Sequence, residues 1–174
     1  PIGLSQYTVT DDGKVYVAKY GTGVIFYDIS KGVEPRQIKW NDIELQDISR
    51  SPLYSSSQNL LYVMTENNGL FIFEKDSSGN YVNRRRISHS RFVGLPMVSL
   101  IESKHHAGLL AVNANGVMYW IGKDSEEEKT FSVGGSVFYP PVSYNQFTYL
   151  LVLGRVLTAV DLNGNEEPLW RYSL

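Results

Sequence analysis

The sequence predicts an all-β fold, and three observations lead to it. First, four segments share one pattern: a short apolar or aromatic run, a small turn, then a second apolar run. They read KVYVAKYGTGVIFYD, LLYVMTENNGLFIFEK, GLLAVNANGVMYWI and YLLVLGRVLTAVD. Second, the turn glycines Gly23, Gly69 and Gly116 recur at spacings of 46 and 47 residues, and a tighter turn at Gly154-Arg155 follows about 39 residues on. Third, Pro52, Pro96 and Pro141 keep the same phase, 44 and 45 residues apart. A period of about 45 residues with four short strands per unit is the mark of a β-propeller blade. Four such units are expected, at about 1–48, 49–95, 96–139 and 140–174, forming one propeller or part of one.

Each unit divides into four strands. The first is expected to use Leu4–Val9, Lys14–Lys19, Val24–Ile29 and Arg36–Trp40. The second uses Pro52–Ser56, Leu60–Thr65, Leu70–Glu74 and Tyr81–Ile87. The third uses Met97–Glu102, Gly108–Asn113, Val117–Ile121 and Thr130–Val133, and the fourth Val142–Asn145, Tyr149–Leu153, Val156–Asp161 and Leu169–Tyr172. Aromatic and β-branched residues dominate these runs, as they do on pleated surfaces. Asp12-Gly13, Asn68-Gly69, Ser78-Gly79, Asn115-Gly116 and Asn163-Gly164 mark the joints, because these pairs tolerate the positive φ of tight hairpins. Proline at a strand's first residue removes no ladder donor, which explains the periodic Pro52, Pro96 and Pro141. The run Leu60, Leu61, Tyr62, Val63, Met64 does not alternate, so it is expected to be covered on both faces. Links between units fall at Asn41–Ser49, Ser88–Leu95 and Gly134–Tyr139; the first has room for a helical turn carrying Ile43, Leu45 and Ile48.

Composition narrows the function classes. Hydrophobic residues at 43% against 20% charged give a globular chain rather than a disordered one. A net charge of -2 gives no overall nucleic-acid footprint. No apolar run approaches the length that spans a bilayer. Cysteine is absent, which removes disulfides and thiolate metal sites.

The fourth unit, ending LTAVDLNGNEEPLWRYSL, resembles the blade repeat of the quinoprotein-like (PQQ-type) propellers, a repeat also seen in outer-membrane assembly lipoproteins. That repeat closes its third strand with alanine and aspartate, turns through glycine and ends its fourth strand with tryptophan. Ala159, Asp161, Gly164 and Trp170 take those places here, and Asp28, Gly32 and Trp40 do so in the first unit. The second and third units keep the turns but carry Arg86 or Ile87, and Phe131, near the tryptophan position. The resemblance implies propeller architecture and an extracytoplasmic, periplasmic or extracellular, setting. It carries over no catalytic residue, no cofactor pocket and no vicinal cysteine pair. Complete propellers of this kind have more blades than four. The expected solutions are further blades of a longer polypeptide, completion by a second copy or another subunit, or a four-bladed ring. Open blade faces would be apolar, and large apolar surfaces find partners.

Three groups of residues are candidate sites. Tyr7, Tyr54 and Tyr144 recur once per repeat at the first strand and either form an aromatic ligand platform or pack between blades. Arg84, Arg85 and Arg86, with His89 and Arg91 nearby, either receive an anionic partner or defend an outer strand against edge pairing. Asp124–Glu128 reads as an acidic solvated hairpin. His105 and His106 are adjacent, so on a strand they point to opposite faces and make a poor chelating pair. The segment Gly21–Val24 lacks the lysine and helix of a phosphate loop. The function expected is a non-catalytic protein-binding or scaffold module, acting as the ligand-sensing or assembly part of a larger protein. The alternatives are a carbohydrate-binding propeller and a quinoprotein-like oxidoreductase fragment. No cofactor or metal and no nucleic acid is expected. The expected partner is a protein, or a second copy, packing against open blade faces.

Overall fold

The computed structural model describes residues 5–10, 13–19, 23–28, 32, 34–41, 43–45, 47–48, 50–88, 97–101, 107–123, 128–144, 146–161 and 168–174. Among them every regular element is a strand, so no helix is long and apolar enough to cross a membrane. The strands form four antiparallel sheets, and in each sheet every strand pairs with its sequence neighbour. The first sheet holds β1 (Ser5–Val9), β2 (Lys14–Lys19), β3 (Gly23–Asp28), β4 (Arg36–Trp40) and β5 (Ile43–Glu44). The second holds β6 (Leu53–Ser55), β7 (Leu60–Thr65), β8 (Gly69–Lys75) and β9 (Tyr81–Ile87). The third holds β10 (Met97–Ile101), β11 (Gly108–Val112), β12 (Val117–Gly122) and β13 (Glu128–Ser132). The fourth holds β14 (Val142–Tyr144), β15 (Phe147–Val152), β16 (Val156–Asp161) and β17 (Trp170–Ser173). The chain divides into two compact units, 1–91 with the first two sheets and 92–174 with the last two.

Strand boundaries fall close to those read from the sequence. One link differs. Where 41–49 has room for a helical turn, Asn41 adopts φ 46° and reverses the chain, so β5 pairs back onto Lys39 and Trp40. Asparagine tolerates that left-handed backbone. The ladder then satisfies peptide groups that a helical turn would have satisfied internally, Ile48 bridges to Thr65, and Leu45 and Ile48 enter the core. Glu128, expected in the acidic hairpin, belongs to β13 and pairs with Ile121.

The tight β11–β12 turn shows how sequence sets a hairpin. The Asn113 side chain accepts from the backbone N–H groups of Asn115 and Val117, and Gly116 holds φ 78°. A β-carbon on Gly116 would lie 2.1 Å from the Gly135 carbonyl oxygen, so the link between the two sheets runs close over this turn.

In the first unit, period-2 alternation sends one side of each strand to a shared core. Tyr16, Ala18, Val24 and Ile38 of the first sheet meet Leu61, Val63, Phe71 and Phe73 of the second. We call the first sheet's side of this contact its forward face and the second sheet's side its rear face. Trp40, at the end of β4, lodges on the forward side against Phe71 and Phe73, with ring centroids 5.2 and 5.6 Å away. The forward face of the second sheet, with Leu60, Tyr62, Met64, Leu70 and Ile72, is also buried.

The second unit repeats the arrangement. Leu110, Val112, Met118 and Val133 form the forward face of the third sheet and share a core with Leu150, Val152 and Val160, the rear face of the fourth. Arg171 of β17 donates to the Val133 carbonyl at 3.1 Å and ties the two sheets at their outer strands.

Candidate functional site

Alternation along β17 splits its residues between two sides. Arg171 turns inward to the Val133 carbonyl, so Trp170 and Tyr172 turn outward. The ladder places Trp170 opposite Ala159 and Tyr172 opposite Leu157, while Val142 faces Tyr149 and Tyr144 faces Phe147. These residues and Leu151 all lie on the forward face of the fourth sheet. Tyr144 is 69%, Val142 66%, Tyr172 63% and Trp170 45% exposed. Ala159 is buried under its neighbours, and the Tyr149 and Trp170 rings lie 6.2 Å apart. The result is a continuous aromatic and aliphatic surface, with Leu174 extending it at 73% exposure.

A forward-pointing tryptophan has a different environment in the first unit. Trp40 and Trp170 both lie on the fourth strand of their sheets and both point forward, but at opposite ends: Trp40 is the last residue of β4, whereas Trp170, expected to end its strand, is the first of β17. Trp40 is covered by Phe71 and Phe73, whereas Trp170 is open.

The first sheet also has an open side. Its rear face carries Tyr7, Val9, Val15, Val17, Ile25 and Tyr27, which the ladder aligns across β1–β3. Tyr7 and Val9 are exposed and the other four half-buried.

The tyrosines singled out in the sequence therefore separate. Tyr7 lies on the rear face of the first sheet, and Tyr54 lies against the forward face of that sheet, its ring 5.4 Å from Tyr16. The structure does not bring these two together. Tyr144 belongs to the outward face of the fourth sheet. Tyr54 instead joins a cluster of partly buried rings, with Phe26 and Tyr81, around the buried Tyr16. Burial, then a hydrogen bond shared with Tyr81, pushes the Tyr16 phenol well above its ordinary range. Burial raises Tyr81 as well, partly offset by the bond from Tyr16, and burial raises Tyr54.

The basic run is engaged locally. Arg84 bonds Glu74 at 2.6 Å, and Arg86 donates to the Asn68 carbonyl while its guanidinium sits 5.2 Å over the Phe71 ring. Arg91, His89, His105, His106 and 124–127 lie outside the described residues. Among the described residues, no group of three or more His, Cys, Asp or Glu is placed to hold a metal ion. A cleft beside β4, lined by Phe26, Arg36, Asn80 and Tyr81, encloses about 150 Å3. That is below the ~300 Å3 at which small-molecule pockets begin.

The sequence reading named Tyr144 but not Trp170, Tyr172 or Val142 as site residues. The missed signal was parity: an outermost strand facing water is expected to place polar residues outward, and β17 places Trp170 and Tyr172 there.

No protein-family model matches the sequence, and no curated protein does. Solved structures do. Hsv2 from Kluyveromyces lactis superposes with a TM-score of 0.65 at 9% identity, over 95% of this chain and 49% of that one. The dihydro-heme d1 dehydrogenase NirN, solved in complex with DHE, superposes with a TM-score of 0.67 at 17% identity, over 97% of this chain and 37% of that one. Both are β-propellers. The fold of this chain is a β-propeller fold. The chain spans half or less of the length of these two propellers. At these identities the likeness carries fold and not chemistry.

Proposed function

We propose that this propeller segment is a non-catalytic protein-binding or scaffold module, and that its recognition surface is the forward face of the fourth sheet. The observation that carries this reading is the contrast between Trp40 and Trp170. Both tryptophans point forward from the fourth strand of a sheet, yet one is packed on Phe71 and Phe73 and the other is 45% exposed beside Tyr149, on a face that also carries Tyr144 and Tyr172. A contiguous apolar face of this kind marks a surface that a partner covers. Aromatic residues are enriched in the cores of such interfaces. Each forward face that is covered within a unit meets the rear face of another antiparallel sheet. The partner is accordingly a protein β-sheet with an apolar side.

The test is photo-crosslinking in the organism that makes the protein, with p-benzoylphenylalanine in place of Tyr172. A discrete crosslink to a polypeptide segment is expected. A probe at position 172 that forms no protein crosslink, beside a control at Val63 that crosslinks within the core, rejects the reading.

A further inference from the structure

We propose that Asn115 is a site of spontaneous covalent modification, and that its product acts on the contact between the third and fourth sheets. In an Asn-Gly pair the glycine nitrogen attacks the side-chain carbonyl carbon of the asparagine. A bond from that nitrogen to Cγ forms, the side-chain nitrogen leaves as ammonia, and a five-membered succinimide closes. Water then opens the ring at either carbonyl. One opening gives aspartate. The other gives iso-aspartate, whose main chain runs through the side-chain carbon and is one methylene longer. Glycine favours closure because no side chain shields its nitrogen.

Two Asn-Gly pairs fall among the described residues, and their surroundings differ. Asn68, before Gly69, is held at both side-chain polar atoms: Nδ2 donates to Asp47 at 3.1 Å and Oδ1 accepts from Arg86 at 3.4 Å. Its main-chain carbonyl also accepts from Arg86, at 3.0 Å. Asn115, before Gly116, is exposed in the β11–β12 turn, and its side-chain amide makes no hydrogen bond among the described residues. The restraint there is the bond from the Gly116 N–H to the Asn113 carbonyl at 3.0 Å, which must open before the nitrogen attacks. Asn113 is itself buried, its side-chain oxygen is engaged by two N–H groups, and Ala114 rather than glycine follows it.

The consequence follows from what the turn touches. The Gly116 carbonyl accepts from the Val133 N–H at 2.9 Å, and the Ala114 carbonyl accepts from the Val137 N–H at 3.2 Å. Val133 and Val137 belong to the core shared by the third and fourth sheets. A methylene inserted at position 115 changes the spacing of these two acceptors, so both bonds cannot keep their geometry. Iso-aspartate there loosens the link between the two sheets.

Peptide mapping of the full chain, aged in mildly alkaline buffer with and without urea, tests this. Trypsin puts Asn68, Asn115 and Asn163 on separate peptides, 51–75, 105–123 and 156–171. Methyl transfer by protein L-isoaspartate methyltransferase marks the iso-aspartate. In urea the three sites are expected to convert alike. In the folded chain Asn115 is expected to convert at least about tenfold faster than Asn68, the factor that one hydrogen bond to a charged group supplies. The urea midpoint of the aged wild type is expected to fall below that of the equally aged Asn115→Gln variant, which cannot close the five-membered ring. Conversion at Asn115 no faster than at Asn68 in the folded chain overturns the site. Conversion at Asn115 with equal midpoints for the two aged proteins overturns its effect on the contact between the sheets.

Discussion

The hydroxyls of Tyr16 and Tyr81 share a hydrogen bond across the contact between the first and second sheets. Tyr16 is fully buried, flanked by Phe26 and Tyr54, and comes from β2, while Tyr81 opens β9. Both phenols are raised, chiefly by burial. The native state therefore keeps its protons at a pH where the unfolded chain loses them, at about 10 and above. The unfolded state then binds fewer protons, so stability is complete below that pH and falls as pH rises beyond it. Urea midpoints are expected to be level at neutral pH and to drop above about pH 10. Tyr16→Phe removes the shared bond, costs about 1 kcal/mol at neutral pH and makes the alkaline drop shallower. An equally steep drop in the variant contradicts this assignment.

Trp40 and Trp170 both point forward, one covered and the other open. Trp40→Ala strips ring contacts from Phe71 and Phe73 and is expected to destabilise the purified chain by about 3 kcal/mol. Trp170→Ala on the open face is expected to cost less than about 1 kcal/mol in dilute solution, the range of surface changes with few partners. Equal costs by urea unfolding would mean that Trp170 is already covered.

Turn glycines divide by their surroundings. Gly116→Ala forces a β-carbon at φ 78° against the Gly135 carbonyl and is expected to cost at least about 2 kcal/mol. Gly154→Ala, at φ 69° with nothing within 4 Å, meets only backbone strain of about 1 kcal/mol. Thermal midpoints of the two variants are expected in that order; the reverse order speaks against the close approach at Gly116.

Along β9, Arg84→Ala breaks a partly exposed ion pair with Glu74 and is expected to cost less than about 1 kcal/mol, shrinking further in salt. Arg86→Ala removes both the bond to the Asn68 carbonyl and the contact over Phe71, and is expected to cost more, about 1–2 kcal/mol, with little salt dependence. A larger loss at Arg84 contradicts these roles.

The strands were legible because short-range chemistry determines them. Asn-Gly and Asp-Gly turns and apolar runs between them set hairpins whatever the tertiary context, and Leu60–Thr65 betrayed its two covered faces by failing to alternate. β5 was not legible, since a two-residue strand at Ile43–Glu44 depends on the reversal at Asn41 rather than on any periodicity. The split between Tyr7 and Tyr54 was hidden for a similar reason. Both tyrosines sit on first strands of their repeats, but what covers each rear face is a tertiary fact. Trp170, expected to end its strand as Trp40 does, opens β17 instead, because the ladder sets it opposite Ala159; its exposure reflects the absence of a covering sheet among the described residues.

Fluorine NMR of the wild-type chain labelled with 5-fluorotryptophan reads the open face directly, because only Trp40, Trp120 and Trp170 report and Trp170→Phe assigns the last. In dilute solution the Trp170 resonance is expected to show a large water-to-heavy-water isotope shift and the Trp40 resonance a small one. A Trp170 resonance with an isotope shift as small as that of Trp40 contradicts the open face on which the proposed recognition surface rests.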